Sequence, residues 1–161
     1  MTGIFHKARK AYMKKYRCGL LFGSFDPLHS GHIRLIAAAL SLCETIDIVI
    51  DSDELIEKEK YRRPLRPAPQ RKVDIEALTE INPNIRFAGF EVSPNHERAE
   101  EDIESMLFTK EHVVEEGEYS VLIKGDDWKG KGWDGENLGV PVLYLPYTKG
   151  ISSTMFHEAK I

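Results

Sequence analysis

The chain has 161 residues and a net charge of −4, with 42% hydrophobic and 30% charged residues, which suits one domain with a real core and gives no global sign of nucleic-acid binding. No apolar stretch approaches the roughly 18 residues of a membrane span, and the basic start "MTGIFHKARKAYMKKYR" lacks the unbroken apolar core of a secretory signal. Cys18 and Cys43 are too few and too isolated for a disulfide framework or a four-thiolate metal site, which leaves a reducing cytoplasm as the expected compartment.

Along the chain, residues 1–16 read as a basic N-terminal extension and 17–161 as a single domain. "RCGLLFGSF" (17–25) predicts a first buried strand and "GHIRLIAAALSLC" (31–43) a helix, with His29 and Ser30 near its start. "TIDIVIDS" (45–52) is rich in β-branched residues and predicts a second strand. The following charged segment, broken by Pro64, Pro67 and Pro69, reads as a loop. "RKVDIEALTEI" (71–81) predicts a helix with Val73, Ala77, Leu78 and Ile81 on one side, and "IRFAGFEV" (85–92) a third strand. Residues 97–117 read as an acidic helix or helix pair, 119–125 and 140–146 as strands, and 152–160 as a last helix. Strands alternating with helices imply an α/β, Rossmann-like three-layer fold, with a five-stranded, mostly parallel sheet. In such folds ligands sit at the carboxyl ends of the strands. The polar, glycine-bearing segments after strands one, two, four and five would therefore converge on one sheet edge.

Charge is unevenly spread. Residues 58–72 carry Lys58, Lys60, Arg62, Arg63, Arg66, Arg71 and Lys72 against one Glu, whereas residues 91–118 hold ten Asp or Glu and two basic residues. An anionic ligand would meet cations mainly from the first of these segments.

The segment between the first strand and the first helix is "FGSFDPLHSGH" (22–32). His29 and His32 could be a plain polar helix start or a zinc pair, but zinc wants a third ligand at a nearby strand end, and neither cysteine lies at one. A third reading places both imidazoles beside the N–H groups of a helix start, where partial positive charge favours a phosphate and Gly31 leaves room for it. "TKGISST" (148–154) repeats this physics, since Gly150 precedes hydroxyls of Ser152, Ser153 and Thr154 that can cap a helix or donate to phosphate oxygens. "GDDWKGK" (125–131) offers two carboxylates and an indole after a strand. "GKGWDG" (130–135) spells the dinucleotide fingerprint but precedes a loop and a strand rather than a helix, so it is set aside.

With these residues in place, the chain resembles the cytidylyltransferases of the HxGH nucleotidyltransferase superfamily, and most of all the glycerol-3-phosphate cytidylyltransferase type. "GSFDPLHSGH", "GDDWKGK" and "TKGISST" match three signatures of that family in order. The resemblance implies transfer of CMP from CTP to a small phosphorylated alcohol or polyol with release of pyrophosphate. It also implies Mg2+ carried mainly by the CTP phosphates, and a homodimer. By the same resemblance His29 and His32 contact the triphosphate, and Gly23, Ser24, Phe25 and Gly31 lie along the nucleotide. Lys58 or Lys60 binds phosphate, and Arg71 matches an arginine that opens the following helix. Gly125, Asp126, Asp127 and Trp128 form the nucleoside pocket, while Thr148, Gly150, Ile151, Ser152, Ser153 and Thr154 hold the triphosphate. Two departures stand out: Tyr147 and Thr79 occupy positions where the family carries arginine. They leave the acceptor open and keep two other readings in view, an adenylyltransferase of the same fold and a nucleotide-binding protein without turnover.

Overall fold

A computed structural model describes residues 14–96 and 106–146. In chain order these form β1 (Tyr16–Gly23), α1 (Ser30–Leu40), β2 (Cys43–Asp51), α2 (Asp53–Lys60), α3 (Ala68–Ile81), β3 (Ile85–Glu91), β4 (Leu107–Phe108), α4 (Lys110–Glu116), β5 (Val121–Gly125) and β6 (Val142–Leu145). A 3-10 turn at Asp126–Trp128 follows β5. The six strands make one sheet in the order β4-β3-β2-β1-β5-β6, and every neighbouring pair is parallel. Strand order reverses beside β1, between β2 and β5, which places the expected ligand crevice at the carboxyl ends of β1 and β5.

The central strands are apolar on both faces because both faces are covered. On one side Leu21, Ile46, Ile48, Ile50 and Ile123 pack with Ile36 and Ala39 of α1 and Ile75 of α3. On the other, Leu20, Phe22, Val49 and Leu122 pack with Val113 and Val114 of α4 and with Trp133. Each such fully buried aliphatic side chain stabilises the fold by about 1.5–3 kcal/mol relative to exposure.

Four details differ from the sequence reading. The edge strand β4 lies within the stretch expected to be helical at 97–117, of which Lys110–Glu116 is a helix; residues 97–105 lie outside the described residues. Residues 53–60 are helical rather than a loop, because Ser52 caps the start through Leu55 N–H and the prolines begin only at Pro64. Helix α3 starts at Ala68, with Pro69 in its first turn, where a missing N–H costs nothing. Its inner face is Ala68, Arg71 and Ile75, with Leu78 partly buried, whereas Val73, Ala77 and Ile81 face solvent.

A bulge in β3 matters for the site. Ile48 pairs with Phe87 but Val49 pairs with Gly89, so Ala88 is the extra residue. Gly89 takes φ 141°, and a Cβ there would press on the Phe108 ring. The bulge lets Phe87 and Phe90, three apart, face the same layer, and turns Glu91 to the opposite face beside Asp51.

Candidate active site

The site begins where β1 ends. A Cβ at Gly23 would lie 2.9 Å from the Phe25 ring, so glycine lets the chain fold back on that side chain. Phe25 is buried at φ 48° and sets the direction of the loop. Buried Asp26 accepts the N–H groups of Leu65 and Arg66, each at 2.7 Å, and approaches Arg62 Nη1 at 3.5 Å. The carboxylate thereby ties the proline-rich segment to the histidine loop.

The two histidines cap α1 reciprocally. His29 Nδ1 accepts from the N–H of Gly31 at 3.1 Å and of His32 at 3.4 Å, while His32 Nδ1 accepts from His29 N–H at 3.2 Å. This is a capping box built from imidazoles. The N–H groups expected to meet a phosphate at the helix start are thus partly taken by His29 itself. In exchange, both Nδ1 atoms act as acceptors, which assigns the proton of each neutral ring to Nε2. The rings stack at 3.7 Å with 22° between planes, and Phe25 lies 4.6 Å from His32. Burial, then His29 when it is protonated, then the Lys60 ammonium, push His32 down to about 3; burial also lowers His29. The pair therefore presents neutral N–H donors near pH 7.

Helix α2 contributes two lysines with different fates. Lys60 Nζ lies 3.1 Å from Ser24 Oγ, at the mouth of the histidine loop, and partial burial of the ammonium lowers its pKa against the pull of Asp51. Lys58 Nζ turns the other way, to Glu54 Oε1 at 3.1 Å and Ser93 Oγ at 3.0 Å. Arg71 is fully buried, and its guanidinium is spent on the protein. Nε donates to Arg66 O at 2.8 Å, Nη1 to Ser24 O at 2.9 Å and Asp51 O at 2.6 Å, and Nη2 to Asp53 Oδ1 at 2.6 Å. In this geometry it braces the loop and the strand ends rather than facing a phosphate.

Across β1, Gly125 leads into the turn of Asp126, Asp127 and Trp128. The indole of Trp128 is 43% exposed, and its inner face carries Lys124 Nζ at 4.6 Å from the centroid; the same ammonium lies 4.8 Å from Trp133. Trp133 is buried and donates Nε1–H to Tyr144 at 3.0 Å. The glycines of "GKGWDG" serve this wrap: a Cβ at Gly135 would run into the Trp133 ring. Tyr147, Thr148, Gly150, Ile151, Ser152, Ser153 and Thr154 lie outside the described residues. Thr79 returns its hydroxyl to Ile75 O at 3.3 Å, away from the histidines' network.

Sequence reasoning missed a second group at the same edge: Asp51, Glu91, Lys110, Lys124 and Asp134. Lys110 Nζ reaches Asp134 Oδ1 at 2.5 Å and Glu91 Oε1 at 3.5 Å. Burial works against the Lys110 charge, but Glu91 and Asp134 outweigh it and raise the pKa. Burial pushes Glu91 up to about 8 and raises Asp51 as well. Apart from Asp134, within the "GKGWDG" stretch set aside above, these residues belong to no motif; parallel register, the β3 bulge and a loop bring them together. Among the described residues no three or more His, Cys, Asp or Glu side chains converge as a metal cage, and no helix is long and apolar enough to cross a membrane.

Comparison with known proteins extends the geometry. The cytidylyltransferase-like family model matches residues 20–159. Glycerol-3-phosphate cytidylyltransferase of Bacillus subtilis strain 168 is 31% identical over 141 residues, covering 86% of this chain and 93% of that protein. Its counterpart in Staphylococcus aureus is 27% identical over 139 residues, covering 86% and 91%. Phosphopantetheine adenylyltransferase of Pyrococcus furiosus is 35% identical over 69 residues, 43% of each chain. Among solved structures, a bifunctional NMN adenylyltransferase/ADP ribose pyrophosphatase from Francisella tularensis superposes with a TM-score of 0.62 at 16% identity, over 89% of this chain and 42% of that one.

Proposed function

Because the chain belongs to the cytidylyltransferase-like family and is a nucleotidyltransferase, we propose that it transfers CMP from CTP to a small phosphorylated alcohol or polyol. An oxygen of the acceptor phosphate attacks the α-phosphorus in line, the bond from the α-phosphorus to the bridging oxygen breaks, and pyrophosphate leaves with that electron pair. The acceptor is already anionic near neutrality, so the step needs no general base. Catalysis is then positioning and stabilisation of spreading negative charge.

The observation that carries this reading is the histidine capping box. With both Nδ1 atoms accepting backbone N–H groups, each ring carries its proton on Nε2, and the Nε2–H of His32, held by the helix start and by stacking, is the donor this reading gives to a phosphate oxygen. Lys60, on Ser24, supplies the cation beside them. Mg2+ fits this donor set as a passenger on the triphosphate, where it neutralises phosphate charge, because the residues here offer hydrogen-bond donors rather than a carboxylate cage.

Pyrophosphate release, measured with each nucleoside triphosphate against a panel of phosphorylated alcohols, tests the reading. Turnover with CTP supports it. Preference for ATP selects an adenylyltransferase instead, a reading favoured by the similarity to the Pyrococcus furiosus enzyme over residues that make up 43% of the chain. CTP binding without pyrophosphate from any acceptor makes the protein a nucleotide binder without turnover.

A further inference from the structure

The carboxyl edge of the sheet has a second half that the CMP-transfer step does not use. Between α2, the end of β3 and the start of α4 lies a cavity of about 150 Å³, lined by Lys58, Glu59, Glu91, Ser93, Lys110 and Asp134 among others. Its floor is already ordered. Lys110 is fixed by Asp134 and sits over the rings of Phe22 and Trp133 at 5.0 and 5.6 Å. The Glu91 side chain is only 8% exposed, yet among the described residues its carboxyl makes no hydrogen bond, and its charged contact is Lys110 at 3.5 Å. A carboxyl that borders a cavity and makes no hydrogen bond to the described residues can take one from a ligand. Burial raises its pKa against the pull of Lys110, to about 8, so at neutrality the group is both donor and acceptor.

Charge and size narrow the occupant. A phosphate would face Glu59, Glu91, Glu111 and Asp134 across two ammoniums, Lys58 and Lys110, that Glu54 and Asp134 already pair. A cation would face Lys110. An uncharged group bearing hydroxyls can accept from Lys110 and exchange hydrogen bonds with Glu91 and Asp134. The volume equals on the order of five liquid waters at ~30 Å³ each, enough for a short polyol segment. Position agrees with this. Glu59 precedes Lys60 on the last turn of α2, and the buried Asp51 carboxyl feels Lys60, Lys110 and Lys124 together. On the proposed reading, an acceptor with its phosphate by Lys60 and His32 would direct its other end past Glu59 toward the cavity.

We propose that this cavity receives the hydroxylated end of the acceptor, and that Glu91, with Lys110 and Asp134, selects a phosphorylated polyol over a phosphorylated simple alcohol or amino alcohol. The inference rests on the CMP-transfer reading, and one kinetic experiment separates the two. Rates with CTP are measured for three-carbon and five-carbon polyol phosphates, the matched alkyl phosphates and phosphoethanolamine, using the wild type, Glu91→Leu, Glu91→Gln and Asp134→Asn. The wild type prefers a polyol phosphate to its alkyl partner by roughly ten- to a hundredfold in kcat/KM. Glu91→Leu collapses that ratio through the acceptor KM, leaving alkyl phosphate rates and the KM for CTP within about threefold. Glu91→Gln, which keeps a neutral donor and acceptor, retains it. Asp134→Asn, at a side chain that is 61% exposed, keeps an oxygen acceptor for Lys110 and weakens the same ratio. Equal losses on all acceptors, an undiminished ratio in Glu91→Leu, or preference for phosphoethanolamine overturns the subsite alone. No pyrophosphate from any acceptor overturns both readings together.

Discussion

The two halves of the sheet's carboxyl edge solve electrostatics in opposite ways. On the α1 and α3 side, two neutral histidines and one lysine face the crevice, and the buried guanidinium of Arg71 is fully committed to carbonyls and Asp53. On the α4 side, Lys110, Glu91 and Asp134 compensate one another, and Lys124 rests on two indoles. The first half gains its charge interactions when an anion arrives. The second is balanced before any ligand comes, so it suits an uncharged group. The proposed phosphate donors, at the end of β1, and the proposed hydroxyl partners, at the end of β3, thus flank β2.

The strongest way to break this division is to remove its common wall. Arg71→Met leaves the carbonyls of Ser24, Asp51 and Arg66 and the Asp53 carboxylate without their donor, at a cost of about 3–5 kcal/mol in urea unfolding. An unchanged urea midpoint with weakened CTP affinity would make Arg71 a ligand instead of a brace. The next largest effect is expected at His32. His32→Ala removes an Nε2–H donor and half of the capping box, lowering kcat/KM for CTP by roughly a hundred- to a thousandfold. Turnover within a few-fold of the wild type would remove the histidines from the chemistry.

The strands of this edge were legible because runs such as "TIDIVIDS" are apolar on both faces, and the histidine loop because its motif joins a strand to a helix. Helix α2 was not, although Ser52 at its cap, Asp53 and Glu54 in its first turn and Lys58 and Lys60 in its last are all standard signals. Pro64, Pro67 and Pro69, three breakers within six residues, mask these signals in the sequence pattern. The inner face of α3 was misjudged for a different reason: it is built around a buried arginine, which a hydropathy pattern assigns to solvent. Glu91, Lys110 and Asp134 lie far apart in sequence and meet only through strand register, one bulge and a loop, none of which a local pattern encodes.

Acid and base titrations sharpen the comparison with a smaller signal. The folded-state pKa of His32, about 3, lies below its ordinary 6.5, so in that window the unfolded chain binds a proton that the fold refuses, and stability falls as pH falls. His29 adds to this slope. Glu91 does the reverse. Its folded-state pKa of about 8 lies above 4.5, so the stability it contributes below pH 4.5 is lost as pH rises through 8. Each group contributes at most about 1.4 kcal/mol per pH unit, and between pH 4.5 and 6.5 the two oppose each other. Glu91→Gln therefore steepens the acid limb and flattens the neutral one, as measured by urea midpoints across pH. Parallel curves for variant and wild type would show that Glu91 titrates normally.

The smallest effect is expected at the residue whose sequence looks most like its neighbour's. Lys58 and Lys60 stand two apart on the last turn of α2, yet a helix advances about 100° per residue, so their side chains leave on widely different bearings. Lys60 reaches Ser24 and the histidine loop, while Lys58 is held by Glu54 and Ser93, where it fastens α2 to the end of β3. Exposed ion pairs of this kind contribute about 0.2–1 kcal/mol. Lys60→Ala should accordingly lower kcat/KM for CTP by roughly tenfold or more, whereas Lys58→Ala changes it by less than about threefold. Equal losses in the two variants would mean that Lys58 leaves Glu54 when nucleotide binds, and that the boundary between the two halves shifts by half a helical turn during the reaction.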